Sequence, residues 1–182
     1  MRVILSRSVT SDKSIILTGF MGSGKSSVAA LLAEMTGCPF VDLDEVVVKA
    51  AGKTIQDIFR DDGEAAFRDL ESLCLEQVLA SKCRVVIATG GGAVISARNR
   101  EIMKSFGFII NLMVSLPQVL KRLQGSQDRP LFSEQNPEES ARRLMMQREH
   151  FYAEADIRID TDGKSVEDVA AEIMSVLTEL PA

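Results

Sequence analysis

The chain has 182 residues, of which 46% are hydrophobic and 26% charged, with a formal net charge of -5. That length suits one α/β domain with a substantial core and is short for two. The negative balance offers no basic surface to nucleic acid or to an anionic membrane, so neither is expected as a partner.

The first residues, MRVILSRSVTSDK, hold one short apolar run and no cleavage-type tail. They read as an N-terminal extension over 1–13 rather than a secretory leader, followed by a single domain over 14–182. From there, apolar runs of strand length alternate with helical periodicity. Strands are predicted at Ser14 to Thr18, Pro39 to Asp42, Val85 to Ala88, Phe108 to Met113 and Ile157 to Asp160. Helices are predicted at Lys25 to Thr36, Asp44 to Ala51, Thr54 to Asp61 and Gly63 to Ser81. Further helices fit Ala97 to Phe106, Leu116 to Leu123, Pro137 to Ala155 and Ser165 to Thr178. Gly37 and Gly52 stand where left-handed helix ends are expected, and Ser165 with Asp168 has the look of a capped start.

This alternation predicts an α/β fold: a parallel sheet covered by helices on both faces. Between two helical patterns lies QGSQDRPLFSEQNPEE, polar and broken by Gly125, Pro130 and Pro137. A segment of that length inside a domain reads as a lid. No stretch is long enough to span a bilayer. Cys38, Cys74 and Cys83 are odd in number and form no C-x-x-C pair, which predicts neither a disulfide framework nor a zinc site and fits a reducing, cytoplasmic setting.

The segment Gly19 to Ser26, GFMGSGKS, follows the first strand and opens the first helix. It fits G-x-x-x-x-G-K-[ST], in which glycines let successive N–H groups close on phosphate oxygens. The helix start adds partial positive charge, Lys25 reaches the terminal phosphates and Ser26 offers a hydroxyl to Mg²⁺. A nucleoside triphosphate and magnesium follow from this pattern; the acceptor does not.

Asp42 and Asp44, in FVDLDE, are two apart at the carboxyl end of the second strand, where an extended chain points both to one side. They suit either magnesium and proton chemistry or, for Asp44, capping of the next helix. Arg68 lies one turn from Glu64 and near Glu71, so a surface ion pair competes with a binding role. Gly90, Gly91 and Gly92 follow the buried third strand, where missing side chains leave room for a ligand or form a plain loop. Phe59 and Phe67 read from pattern as core. Arg122, Arg129 and Arg148 flank or lie in the lid segment; guanidinium suits carboxylates and phosphates, though each alone also fits a solvated surface position. His150 fits a solvent-facing helix position better than a general base.

Together, GFMGSGKS, DLD, GKTIQDIFRDDGEAAFRDLE, TGGG, DRPL and QREHFYAEAD, in this order, resemble the shikimate kinase family from about Ser14 to Ala170. The resemblance implies a P-loop fold of the nucleoside-monophosphate-kinase type. It has three α/β/α layers, a five-stranded parallel sheet in the order 2-3-1-4-5, a substrate-binding helical region near 43–71 and a mobile lid near 121–138. It implies ATP-dependent phosphorylation of the 3-hydroxyl of shikimate, one Mg²⁺ per subunit and a monomer.

By the same resemblance, Gly22, Ser23, Gly24, Lys25, Ser26 and Ser27 hold the ATP phosphates, with Ser26 and Asp42 serving Mg²⁺. Asp44 binds shikimate hydroxyls and is the candidate base, while Arg68 and Arg148 clamp the carboxylate. Gly90, Gly91 and Gly92, with Phe59 and Phe67, line the acceptor pocket. Arg129 reaches both the transferred phosphoryl group and the substrate, and Arg122 and Lys164 lie near adenine. Ser27 and Leu43 depart mildly from the family pattern, and DTDGKS departs more, keeping only Lys164 of its usual adenine-turn residues. Two competing expectations are a kinase of the same fold acting on gluconate or a nucleotide, and a non-catalytic ATP-binding module.

Overall fold

The computed structural model of the chain describes residues 13–81, 83–123 and 136–179. The strands are β1 (Ser14–Thr18), β2 (Phe40–Asp42), β3 (Val86–Ala88), β4 (Gly107–Met113) and β5 (Ile157–Asp160). They form one parallel sheet in the order β2-β3-β1-β4-β5, the expected order. Most of the predicted lid and extension lies outside the described residues.

Alternation along each strand explains the three layers, because successive side chains leave opposite faces of a sheet. Ile16, Ile87 and Ile109 join one buried cluster, and Ile15, Leu17, Val86, Ala88, Ile110 and Leu112 join the other. The second cluster is closed by α1 (Lys25–Thr36) and α8 (Val166–Glu179) through Val28, Leu32, Ile173 and Leu177. The first is closed by α2 (Leu43–Ala51), α3 (Ile55–Asp61), α4 (Gly63–Leu79), α5 (Ala97–Phe106), α6 (Leu116–Leu123) and α7 (Pro137–Tyr152). Both sheet faces are therefore dry, and the strands read as continuous apolar runs for that reason.

Helix ends carry the expected chemistry. Gly37 and Gly52 close α1 and α2 in the left-handed region, at φ 70° and 67°. Ser165 accepts a hydrogen bond on Oγ from the Asp168 amide and donates its own amide to the Asp168 carboxylate, both at 3.1 Å, a reciprocal cap for α8. The chain runs from β1 to β2 on one side and later crosses to β4 on the other. Such a reversal opens a crevice at the carboxyl ends of the strands around β1.

Candidate functional site

The loop between β1 and α1 forms one wall of that crevice. Gly24 sits at the N-cap of α1 with φ 95°, a conformation that costs a side chain dearly. No side chain caps this helix and no acidic residue occupies its first turn, so its amides and partial positive charge are directed at an incoming anion. Lys25 Nζ donates to the carbonyls of Gly19 at 2.8 Å and Phe20 at 3.0 Å, which holds the ammonium over the loop. Ser23 Oγ is buried without a hydrogen-bond partner among the described residues. A donor left so in a tight loop fits a cradle for phosphate oxygens.

Ser26 and Asp42 meet across the loop, the hydroxyl donating to Asp42 Oδ2 at 2.8 Å. The other oxygen, Oδ1, accepts the Asp44 amide at 3.0 Å and caps α2. The capping role weighed for Asp44 therefore belongs to Asp42. The strand ends at Asp42 and the helix begins at Leu43, so two-residue alternation does not govern where Asp44 points. Leu43 is fully buried in the core.

Opposite the loop, the glycine turn after β3 collects the remaining groups. A Cβ added at Gly90 would lie 2.7 Å from Asp44 Oδ1 and 3.1 Å from Glu71 Oε1. One added at Gly92 would lie 2.5 Å from Arg68 Nη2, and one at Gly91 3.4 Å from the Met21 amide nitrogen. The turn thus touches Asp44, Arg68 and the phosphate loop at once, and side chains there would displace them. Arg148 Nη1 and the Tyr152 hydroxyl both donate to the Gly91 carbonyl, at 3.4 Å and 2.6 Å. Arg148 Nε is buried with no hydrogen-bond partner among the described residues, a cationic donor left unsatisfied. Phe67 is buried and stacks at 4.7 Å on Phe59, which is 39% exposed. Phe67 is thus core, as its pattern indicated, whereas Phe59, read the same way, is exposed rather than core.

Arg68 makes both of the contacts weighed from its spacing. It pairs with Glu64 at 3.2 Å and with Glu71 Oε2 at 3.0 Å. Glu71 did not stand out in the sequence, because an acid three residues after an arginine looks like a surface pair. It is 1% exposed, and its Oε1 has no hydrogen-bond partner among the described residues. Burial pushes its carboxyl up from the usual 4.5, against the pull of Arg68 and with the help of Asp44. The folded state therefore holds this proton more firmly than the unfolded chain does. Its contribution to stability is present below pH 4.5 and is lost as pH rises through the raised folded value. Glu71→Gln does not titrate. The melting temperature of the variant minus that of the parent should climb as pH rises above 4.5, and a flat difference would count against this account.

On the far side of the loop, Arg122 donates to the Gly22 carbonyl at 2.9 Å and the Thr161 carbonyl at 3.2 Å, tying the phosphate loop to the turn after β5. Lys164 points to Glu172 of α8, with Nζ to Oε2 at 2.5 Å. Ser27 is exposed in the first turn of α1. His150 is exposed and packs its ring against Phe151. Arg129 lies outside the described residues.

The family model described as shikimate kinase matches residues 21–178. The chain belongs to the shikimate kinase family. It is 48% identical over 98% of its length to a shikimate kinase of Geobacter sulfurreducens, covering 99% of that protein. A solved shikimate kinase from Acinetobacter baumannii in complex with shikimate superposes with a TM-score of 0.87. It is 36% identical, over 92% of this chain and 93% of that one. A gluconokinase from Sinorhizobium meliloti superposes with a TM-score of 0.64 at 18% identity, over 92% of this chain and 93% of that one, a likeness of fold alone. Membership of the shikimate kinase family makes the chain a kinase, with the P-loop architecture described above. Among the described residues no helix is long and apolar enough to cross a membrane.

Proposed function

We propose that the chain transfers the γ-phosphoryl group of ATP to the 3-hydroxyl of shikimate, giving shikimate 3-phosphate on the route to chorismate and the aromatic amino acids. The observation that carries this is the contact between the phosphate loop and the glycine turn. Gly91 lies against the Met21 amide while Gly90 and Gly92 lie against Asp44 and Arg68. A triphosphate cradled by the loop would therefore face an acceptor held at the turn, the proximity on which phosphoryl transfer depends.

In this assignment Gly22, Ser23, Gly24, Lys25, Ser26 and Ser27 hold the phosphates, and Lys25 balances charge that develops on the transferring group. Ser26 and Asp42 would hold Mg²⁺, an oxygen-only pair that suits a hard cation kept largely by water and phosphate. When bound, the ion neutralises phosphate charge. Arg68 and Arg148 grip the carboxylate of the acceptor, with Phe59 and Phe67 beside it. Asp44, against Gly90, orients the acceptor hydroxyl and accepts its proton late in transfer. Arg122 and Lys164 flank the adenine side. We further assign a monomer, as the family resemblance implies, acting on two small molecules in the cytoplasm, the compartment supported by three thiols outside any disulfide.

Coupled ADP release from purified protein with MgATP tests this against both competitors. Shikimate should stimulate release and gluconate should not. Stimulation by gluconate alone would overturn the acceptor assignment. Tight nucleotide binding with no acceptor-dependent release would indicate a non-catalytic module.

A further inference from the structure

The carbonyls of the glycine turn are held in two different ways. Gly90 and Gly92 accept from Ala93 and Ile95 at 3.1 and 3.0 Å, within the short 3₁₀ turn Ala93–Ile95 that continues the loop. Gly91 instead accepts from α7, through Tyr152 at 2.6 Å and, less closely, Arg148 at 3.4 Å. Three glycines in a row have no side chains with which to fix their own backbone. What ties this turn to α7 is therefore the Gly91 carbonyl, and the shorter of its two bonds comes from a phenol.

That phenol is expensive to place. Tyr152 is 4% exposed within the apolar cluster, where phenylalanine would fill the same space without burying a hydroxyl. It stands one helical turn after Arg148, on the same face of α7. We propose that the Tyr152 hydroxyl is a positioning group for the acceptor site. It holds the Gly91 carbonyl so that the Gly90 to Gly92 turn and the Arg148 guanidinium keep one fixed separation. This rests on the assignment of that turn and Arg148 to the acceptor. Burial pushes the phenol up to about 12, so it keeps its proton and donates throughout the neutral range.

Tyr152→Phe keeps the ring and removes the donor alone. In steady-state assays the KM for shikimate should rise about tenfold, the size of one hydrogen bond withdrawn from a buried acceptor, while kcat and the KM for ATP stay near parent values. A melting temperature lowered by a few degrees accompanies either role and decides nothing alone. The deciding readout is the split between the two KM values and kcat. Arg148→Lys, measured beside it, keeps the charge and removes the planar fork, and should also raise the KM for shikimate. If Arg148→Lys raises that KM and Tyr152→Phe does not, the positioning role is wrong and the acceptor assignment stands. If Tyr152→Phe raises both KM values alike or lowers kcat alone, the hydroxyl acts generally on the fold and the proposal fails. If neither variant moves the KM for shikimate, the acceptor assignment fails and takes the proposal with it.

Discussion

An Asp44→Asn enzyme is expected to lose roughly 10²- to 10⁴-fold in kcat with shikimate, the range for removing a positioned base, while binding nucleotide as the parent does. The substitution is nearly isosteric. The Asp44 amide still donates to Asp42, so the start of α2 is retained. What changes is the ability of the side chain beside Gly90 to accept a proton. Steady-state ADP release together with ADP titration calorimetry separates the two effects. Near-normal turnover would remove Asp44 as the base and leave it a role in hydrogen bonding to the acceptor.

Lys25→Met should depress kcat/KM for ATP by about 10²- to 10³-fold, comparable with deleting one preorganised donor to developing charge. Methionine keeps most of the aliphatic stem but cannot bond the Gly19 and Phe20 carbonyls, which now hold the ammonium over the loop. The same variant should bind shikimate as the parent does, because the acceptor groups come from other elements. A binding titration with shikimate alone checks this. Retention of more than about a tenth of parental kcat/KM would show that Lys25 does not serve the phosphates.

The phosphate loop was legible in the sequence because its chemistry is done by backbone, and close backbone approach demands glycine at fixed spacing. The sheet was legible because both faces are dry, leaving apolar runs at Ser14–Thr18 and near Val86–Ala88 that match the observed strands within a residue. Boundaries failed where one atom decided them. β4 begins at Gly107 rather than Phe108, since a glycine that reads as a breaker is here required: a Cβ would lie 2.5 Å from the Ser14 carbonyl oxygen. Asp42 rather than Asp44 caps α2, because the strand hands over to the helix between them. The burial of Glu71 and the long-range bond of Tyr152 were not legible. An acid three positions from Arg68 is indistinguishable from a solvated partner until its burial is known. The bond from Tyr152 to Gly91 joins residues 61 apart, for which spacing gives no signal.

The position of β1 in the middle of the sheet has a practical corollary. Asp44, Phe59, Phe67, Arg68, Glu71 and Gly90 to Gly92 are encoded in one uninterrupted stretch bounded by β2 and the turn after β3. The loop after β1, Arg122 and the turn after β5 are encoded outside it. On the proposed assignment, choice of alcohol is therefore written largely as one cassette, with α7 the outlying contributor among the described residues. Such a layout lends itself to transplantation: a foreign cassette of equal length, matched to α7, could redirect the enzyme to another hydroxy acid while leaving the machinery for the phosphoryl donor untouched.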